Sequence, residues 1–260
     1  MVTGASRGIG KASAIALARA GFDLIITART VQPGGSPWPG SLAETAADIE
    51  SAGGAAHQIA MDLLDQDRVL EVADQVQTLA GPIDVLLNNA IYVSDTGQPL
   101  TLDTDLADME KRMFGNVTAQ ILLTLPIARH MVANGSGAIL NMTSAAGYAK
   151  PFALPGKGGW NFPYSISKGA FHRIAPQLQF EYGDQGLQAR NLQPGMVSTE
   201  RLKARMGETA IIANAGVETS VVGRAVAHVA THIDDFDPLA TIQLQDVAVA
   251  LGLIDKPASL

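Results

Sequence analysis

The feature that most constrains this chain is an alternation. Short β-branched apolar runs take turns with longer stretches whose apolar residues recur at helical spacing. Residues 8–20 carry the helical period and stop at Gly21, a helix-terminating position. Residues 22–28 (FDLIITA) form the apolar run required of a strand buried on both faces. A Pro- and Gly-rich loop over 31–40 leads to Ser41, placed as an N-cap with Glu44 three residues on, and a helix runs to Gly53-Gly54. Residues 55–62 read as strand, 65–80 as helix and 83–88 as strand. A long helix spans Leu106 to Ala133, with Gly115-Asn116 able to kink it. Strand 137–143, helix 165–182, strand 187–192, helix 217–231 and strand 239–244 complete the pattern. Strands separated by helices imply right-handed crossovers. The expected architecture is therefore one α/β domain over residues 1–260, a doubly wound parallel sheet with helices on both faces.

Composition narrows the function. The chain is 47% hydrophobic and 17% charged, which describes a globular protein. With a net charge of −7 and scattered basic residues it lacks the cationic face that nucleic acid requires. There is no cysteine, so disulfides and thiolate metal sites are excluded. The five histidines (His57, His130, His172, His228 and His232) show no metal-ligand pattern, so no metal is expected. No apolar stretch approaches a membrane span, and the start has no charged n-region and apolar h-region. A soluble, cytoplasmic protein is the expectation.

Thr3-Gly4-Ala5-Ser6-Arg7-Gly8-Ile9-Gly10 opens the first helix. Glycines allow a tight turn and close backbone approach, and a helix N-terminus offers free N–H groups to a pyrophosphate. Only Met1 and Val2 precede the turn. Either residues are missing upstream or the first strand is truncated.

Tyr164 and Lys168 fall at i and i+4 on a predicted helix, hence on one face. A free tyrosine titrates near pH 10, about three units too high for easy use at neutrality. A nearby ammonium favours the phenolate and is expected to lower that pKa. The spacing is common by itself. Its weight comes from order, since the Gly-rich turn, Asn89, Asn116, Ser144 and Tyr164 all fall near strand ends, where open α/β sheets bind ligands.

Together these residues resemble the classical short-chain dehydrogenase/reductase family across most of residues 2–200. The T-G-x-x-x-G-x-G turn is Thr3, Gly4, Gly8 and Gly10, with Ser6, Arg7 and Ile9 between them. N-N-A-G appears as Asn88-Asn89-Ala90, and the strand-end Asp as Asp62 beside Leu63. The tetrad maps onto Asn116, Ser144, Tyr164 and Lys168, and the P-G turn onto Pro194-Gly195, with Val197 and Thr199 beyond it. The resemblance implies a Rossmann-type fold and a homo-oligomer, dimer or tetramer. It implies Tyr164 as general acid or base, Ser144 as the group steadying the substrate oxygen, Lys168 on the ribose hydroxyls and Asn116 holding a relay water. Thr143 is the alternative to Ser144 if the strand register shifts by one.

The residue ending the second strand selects the nicotinamide: a carboxylate there suits the 2′-OH of NAD, a cation the 2′-phosphate of NADP. Here Arg29 stands without an acid, and Arg7 adds a second cation, so NADP(H) is favoured over NAD(H). Three departures stand out. Ile91 breaks N-N-A-G, the stretch 149–163 is longer than the family usually has, and Gln243-Leu244-Gln245 replaces the usual D-G-G. The long loop either overhangs the substrate with Phe152, Trp160 and Phe162 or packs back on the body. Residues 196–216 would form a substrate-side segment near Tyr92, Met196 and Leu202. The expected reaction is hydride transfer between NADP(H) and a partly hydrophobic ketone, 3-oxoacyl or steroid-like compound. The alternative is a nucleotide-sensing scaffold of the same fold without turnover.

Overall fold

The computed structural model describes residues 1–79, 81–206 and 216–258. Seven strands form one sheet: β1 (Val2–Thr3), β2 (Leu24–Ala28), β3 (Ala56–Ala60), β4 (Val85–Asn88), β5 (Gly137–Met142), β6 (Leu187–Gln193) and β9 (Thr241–Gln243). Their order is β3-β2-β1-β4-β5-β6-β9, and every neighbouring pair is parallel. The chain winds outward from β1 to β3 on one side and from β4 to β9 on the other. This reversal between β1 and β4 opens the crevice in which such sheets bind ligands. A separate pair, β7 (Val197–Ser198) with β8 (Val217–Glu218), lies beyond the sheet.

Period-two burial divides the core into two layers. Leu24, Ile26, Leu87 and Leu140 face one way, against α1 (Gly8–Arg19), α2 (Leu42–Ser51), α9 (Thr219–Thr231) and α10 (Leu244–Ala250). Ile25, Leu86 and Ile139 face the other, against α3 (Gln66–Leu79), α5 (Ala119–Ala133) and α7 (Ile174–Tyr182). β1 spans two residues, and Val2 is its sole point of pairing with β4, opposite Leu87. Ser41 caps α2 as expected, accepting from the Glu44 amide at 3.2 Å while its own hydroxyl donates to the Glu44 carboxylate at 2.6 Å.

The expected 106–133 helix is three pieces: α4 (Leu106–Met113), a π-helical turn over Phe114–Thr118, and α5. The predicted helix 165–182 begins earlier, as α6 (Phe162–His172), because Asn161 caps it by accepting from the Tyr164 amide at 3.0 Å and Pro163 fits the first turn. It is interrupted at Arg173 before α7. Two helices were not expected from the periodicity, α8 (Glu200–Met206) and α10. Within the predicted segment 196–216, residues 207–215 lie outside the described residues. No helix among the described residues is long and apolar enough to cross a membrane.

Candidate active site

The glycine-rich turn is stitched to the end of β4 by one hydroxyl and one amide. Thr3 Oγ1 accepts from the backbone of Asn89 at 3.0 Å and of Ala90 at 2.9 Å. Asn89 Nδ2 donates back to the carbonyls of Thr3 at 2.9 Å and Gly4 at 3.3 Å. The packing is close enough that a Cβ on Gly10 would lie 2.3 Å from the Gly4 oxygen. The result is a 260 Å³ cleft at the N-terminus of α1. Gly4, Ser6, Arg7, Gly8, Ile9, Gly10, Arg29, Asp62, Leu63, Asn89, Ala90 and Thr199 all line it. A glycine cradle with the helix N-terminus open to the cleft fits a dinucleotide pyrophosphate. Glu200 and Arg201 line the cleft as well. Sequence reasoning missed them, although they directly follow Thr199.

Pro194, Gly195 and Val197 are not on its wall. Gly195 has φ +70°, and a Cβ there would lie 2.3 Å from Gln245 Nε2. That amide donates to the carbonyls of Pro194 and Met196, each at 2.9 Å, and its oxygen accepts from the Ala258 amide at 2.6 Å. Val197 is buried in the β7–β8 pair opposite Val217.

Two cations, Arg7 and Arg29, line the cleft. Arg7 donates to Gly40 O at 2.9 Å, Thr30 Oγ1 at 3.2 Å and Ser36 Oγ at 3.4 Å, so the 31–40 loop folds onto the turn rather than away from it. Burial and the neighbouring Arg29 charge lower the Arg7 pKa, opposed by Glu200 and Glu44. Arg29 is exposed and 4.0 Å from Asp62. Trp38 of the same loop lies 5.8 Å from the Arg201 guanidinium.

Ser144, Tyr164 and Lys168 come together at the ends of β5 and α6. The Ser144 hydroxyl approaches the Tyr164 phenol and lowers its pKa, but burial outweighs it, and the Tyr164 pKa is raised. The lysine-driven depression expected from the spacing is not found. Lys168 is itself buried, its Nζ donates to Met142 O at 2.7 Å, and burial brings its pKa down to about 8. Thr143, the alternative to Ser144, turns away to pair with His172 Nδ1 at 3.1 Å. Asn116 sits in the π turn, where Oδ1 accepts from the Tyr92 amide at 2.7 Å and Nδ2 donates to Ser167 Oγ at 3.3 Å. Its side chain therefore ties the 91–94 loop to α6. Asn88 points inward, donating to Thr124 and to Asn141 of β5.

A second cleft of 450 Å³ continues from the first, and Ile91, Tyr92, Val93, Thr199 and Arg201 line both. Tyr164 opens into it. Of the long loop, Trp160 borders this cleft, Phe152 packs edge-on against Trp160 at 5.0 Å, and Phe162 points outward on α6. The loop thus does both things expected of it, through different residues. No group of three or more His, Asp or Glu side chains among the described residues is arranged to hold a metal ion.

The family model described as short chain dehydrogenase matches residues 1–210. Gluconate 5-dehydrogenase of Gluconobacter oxydans is 33% identical over 200 residues, covering 77% of this chain and 71% of that protein. The 7alpha-hydroxysteroid dehydrogenase of Escherichia coli K12 is 27% identical over 204 residues, covering 78% and 72%. A metagenomic short-chain oxidoreductase solved in complex with NADP superimposes with a TM-score of 0.72 at 26% identity, covering 93% of this chain and 94% of that one. The chain belongs to the short-chain dehydrogenase/reductase family, NAD(P)-dependent oxidoreductases of CH–OH and C=O groups.

Proposed function

We propose that this chain moves a hydride between NADP(H) and a ketone or secondary alcohol, with Tyr164 as the proton-transfer group. The observation that carries the reading is the Ser144–Tyr164 pair, with Tyr164 on the wall of a cleft that continues from the one at the glycine-rich turn. The bound nicotinamide supplies the hydride in reduction and takes it in oxidation. In reduction Tyr164 gives its phenolic proton to the substrate oxygen, and the carbonyl carbon gains the hydride, so C=O becomes CH–OH. In oxidation Tyr164 receives that proton. Ser144 donates to the same oxygen as charge develops on it. Lys168, buried behind the phenol on the same helix, holds the ribose hydroxyls. Asn116 fixes the two walls of the site relative to each other. Pro194, Gly195 and Val197 act from behind by shaping the turn that carries Thr199 to the nicotinamide.

Arg7 and Arg29, with no acid at the end of β2, support NADP(H) over NAD(H). The apolar walls Ile91, Val93, Trp160 and Leu202 suit a medium-sized, partly hydrophobic substrate. Leu125, Ile166 and Phe180 are exposed on α5 to α7 and suit a homo-oligomeric contact, to be read by light scattering.

The test follows NADPH absorbance with a panel of ketones. Tyr164→Phe is expected to lower kcat about 100- to 10,000-fold while NADPH still binds. Normal turnover by that variant would refute the reading. Arg29→Asp is expected to weaken NADPH far more than NADH, and equal effects would refute the coenzyme assignment.

A further inference from the structure

The walls of the substrate cleft are mainly apolar, but a buried guanidinium borders it. Arg112 lies at the end of α4 with 4% of its surface exposed. Its Nε donates to Asp108 Oδ2 at 2.8 Å. Asp108 is 6% exposed and also takes the Thr96 hydroxyl at 3.0 Å and a polar contact from Ser94. Burial opposes the carboxylate, yet these donors and the Arg112 charge outweigh it and hold Asp108 below the usual range. The carboxylate is thus saturated from behind. In front the situation is reversed. Neither η nitrogen of Arg112 has an acceptor among the described residues, and the guanidinium borders the cleft that Tyr164 also borders. Among the described residues no Asp or Glu lines this cleft, whereas Arg201 adds a second cation to its wall.

A guanidinium presenting its paired η nitrogens matches the two oxygens of a carboxylate. Because Arg112 lines the cleft, an incoming anion can meet these donors without any rearrangement of the Asp108 pair behind them. We propose that Arg112 is the substrate's anionic anchor, so that the substrate class is an oxo or hydroxy carboxylate whose apolar chain lies along Ile91, Val93 and Trp160. The proposal rests on the hydride-transfer reading given above and narrows it. In reduction the hydride adds to the ketone carbon and Tyr164 protonates the ketone oxygen, while the carboxylate stays ionised on Arg112 and undergoes no chemistry. Asp108, Thr96 and Ser94 position the guanidinium.

The experiment compares 4-oxopentanoate and 5-oxohexanoate with their methyl esters, using NADPH and the wild type, Arg112→Met and Arg112→Lys. The wild type should favour at least one acid over its ester by about tenfold or more in kcat/KM, mainly through KM. Arg112→Met should erase that preference, bringing the acid-to-ester ratio of kcat/KM to about one, and Arg112→Lys should restore part of it. Equal use of acid and ester by the wild type overturns the anchor. So does an Arg112→Met variant that loses acid and ester alike, because a tie to the 94–96 loop alone would act that way. A second readout does not depend on turnover. The chain has two tryptophans, Trp38 and Trp160, so Trp38→Phe leaves Trp160 as the reporter in the cleft. Titration with 5-oxohexanoate should change its emission, with its methyl ester much less effective and the difference gone in Arg112→Met. If no ketone is reduced at all, hydride transfer is refuted, and this titration decides the anchor by itself: no acid–ester difference overturns it.

Discussion

Lys168 is held where burial and charge oppose each other. Its ammonium is kept from water with the Met142 carbonyl as acceptor, and its pKa falls from 10.5 to about 8. Below pH 8 the folded chain therefore carries a buried charge that the unfolded chain keeps solvated. Between about 8 and 10.5 the unfolded state binds the proton and the folded state does not, so this group makes stability rise with pH across that window. Lys168→Met should accordingly be more stable than wild type at pH 7, by at most about 3 kcal/mol less the value of the lost hydrogen bond. The advantage should shrink as pH rises from 8 to 10.5, as measured by denaturant unfolding. A constant difference across that range would contradict the assignment. Gly10→Ala should fail differently: its Cβ would crowd Gly4 O and Asn89 Nδ2, costing about 1–3 kcal/mol and weakening NADPH binding. At this scale the sequence was readable for side chains whose type matches their chemistry. The Gly turn borders a cleft, and Ser144 lies against Tyr164. Arg112 and Asp108 were not readable, because charged residues on a helix look solvated until the 94–96 loop that covers them is placed.

At the level of elements, the π turn shows how a helix is shaped by what its side chains must reach. Asn116 bonds both Tyr92 and Ser167 from within Phe114–Thr118, and an uninterrupted helix would aim that amide elsewhere. Asn116→Ala should leave the Tyr92 amide without its acceptor, lower stability by about 1–3 kcal/mol and depress kcat as the 91–94 loop loosens. Ser41→Ala removes a cap remote from Tyr164 and should cost about 1 kcal/mol with kcat kept. Thermal unfolding alongside turnover separates the two outcomes. Most strands and helices were legible to within a few residues, since buried parallel strands and amphipathic helices impose distinct periods. The start of α6 was not, because Pro163 reads as loop until Asn161 is seen to cap the helix. α8 and α10, seven residues each, are too short for periodicity to declare.

Over the whole molecule the net charge is −7, yet the cleft at the glycine-rich turn gathers Arg7 and Arg29. A coenzyme with an extra phosphate should therefore be held partly by local charge, which salt screens. Raising ionic strength should weaken NADPH binding more steeply than NADH binding, as read by fluorescence titration. Parallel slopes would remove the arginines from coenzyme selection. Sequence separation has its own effect on when the enzyme becomes competent. The Pro194–Met196 turn takes its shape from Gln245, which is held in turn by the Ala258 amide. Such distant partners meet only after the sheet between them has assembled. Recovery of catalysis after dilution from denaturant should thus trail recovery of helical signal, making turnover a clock for the last stitch of the fold.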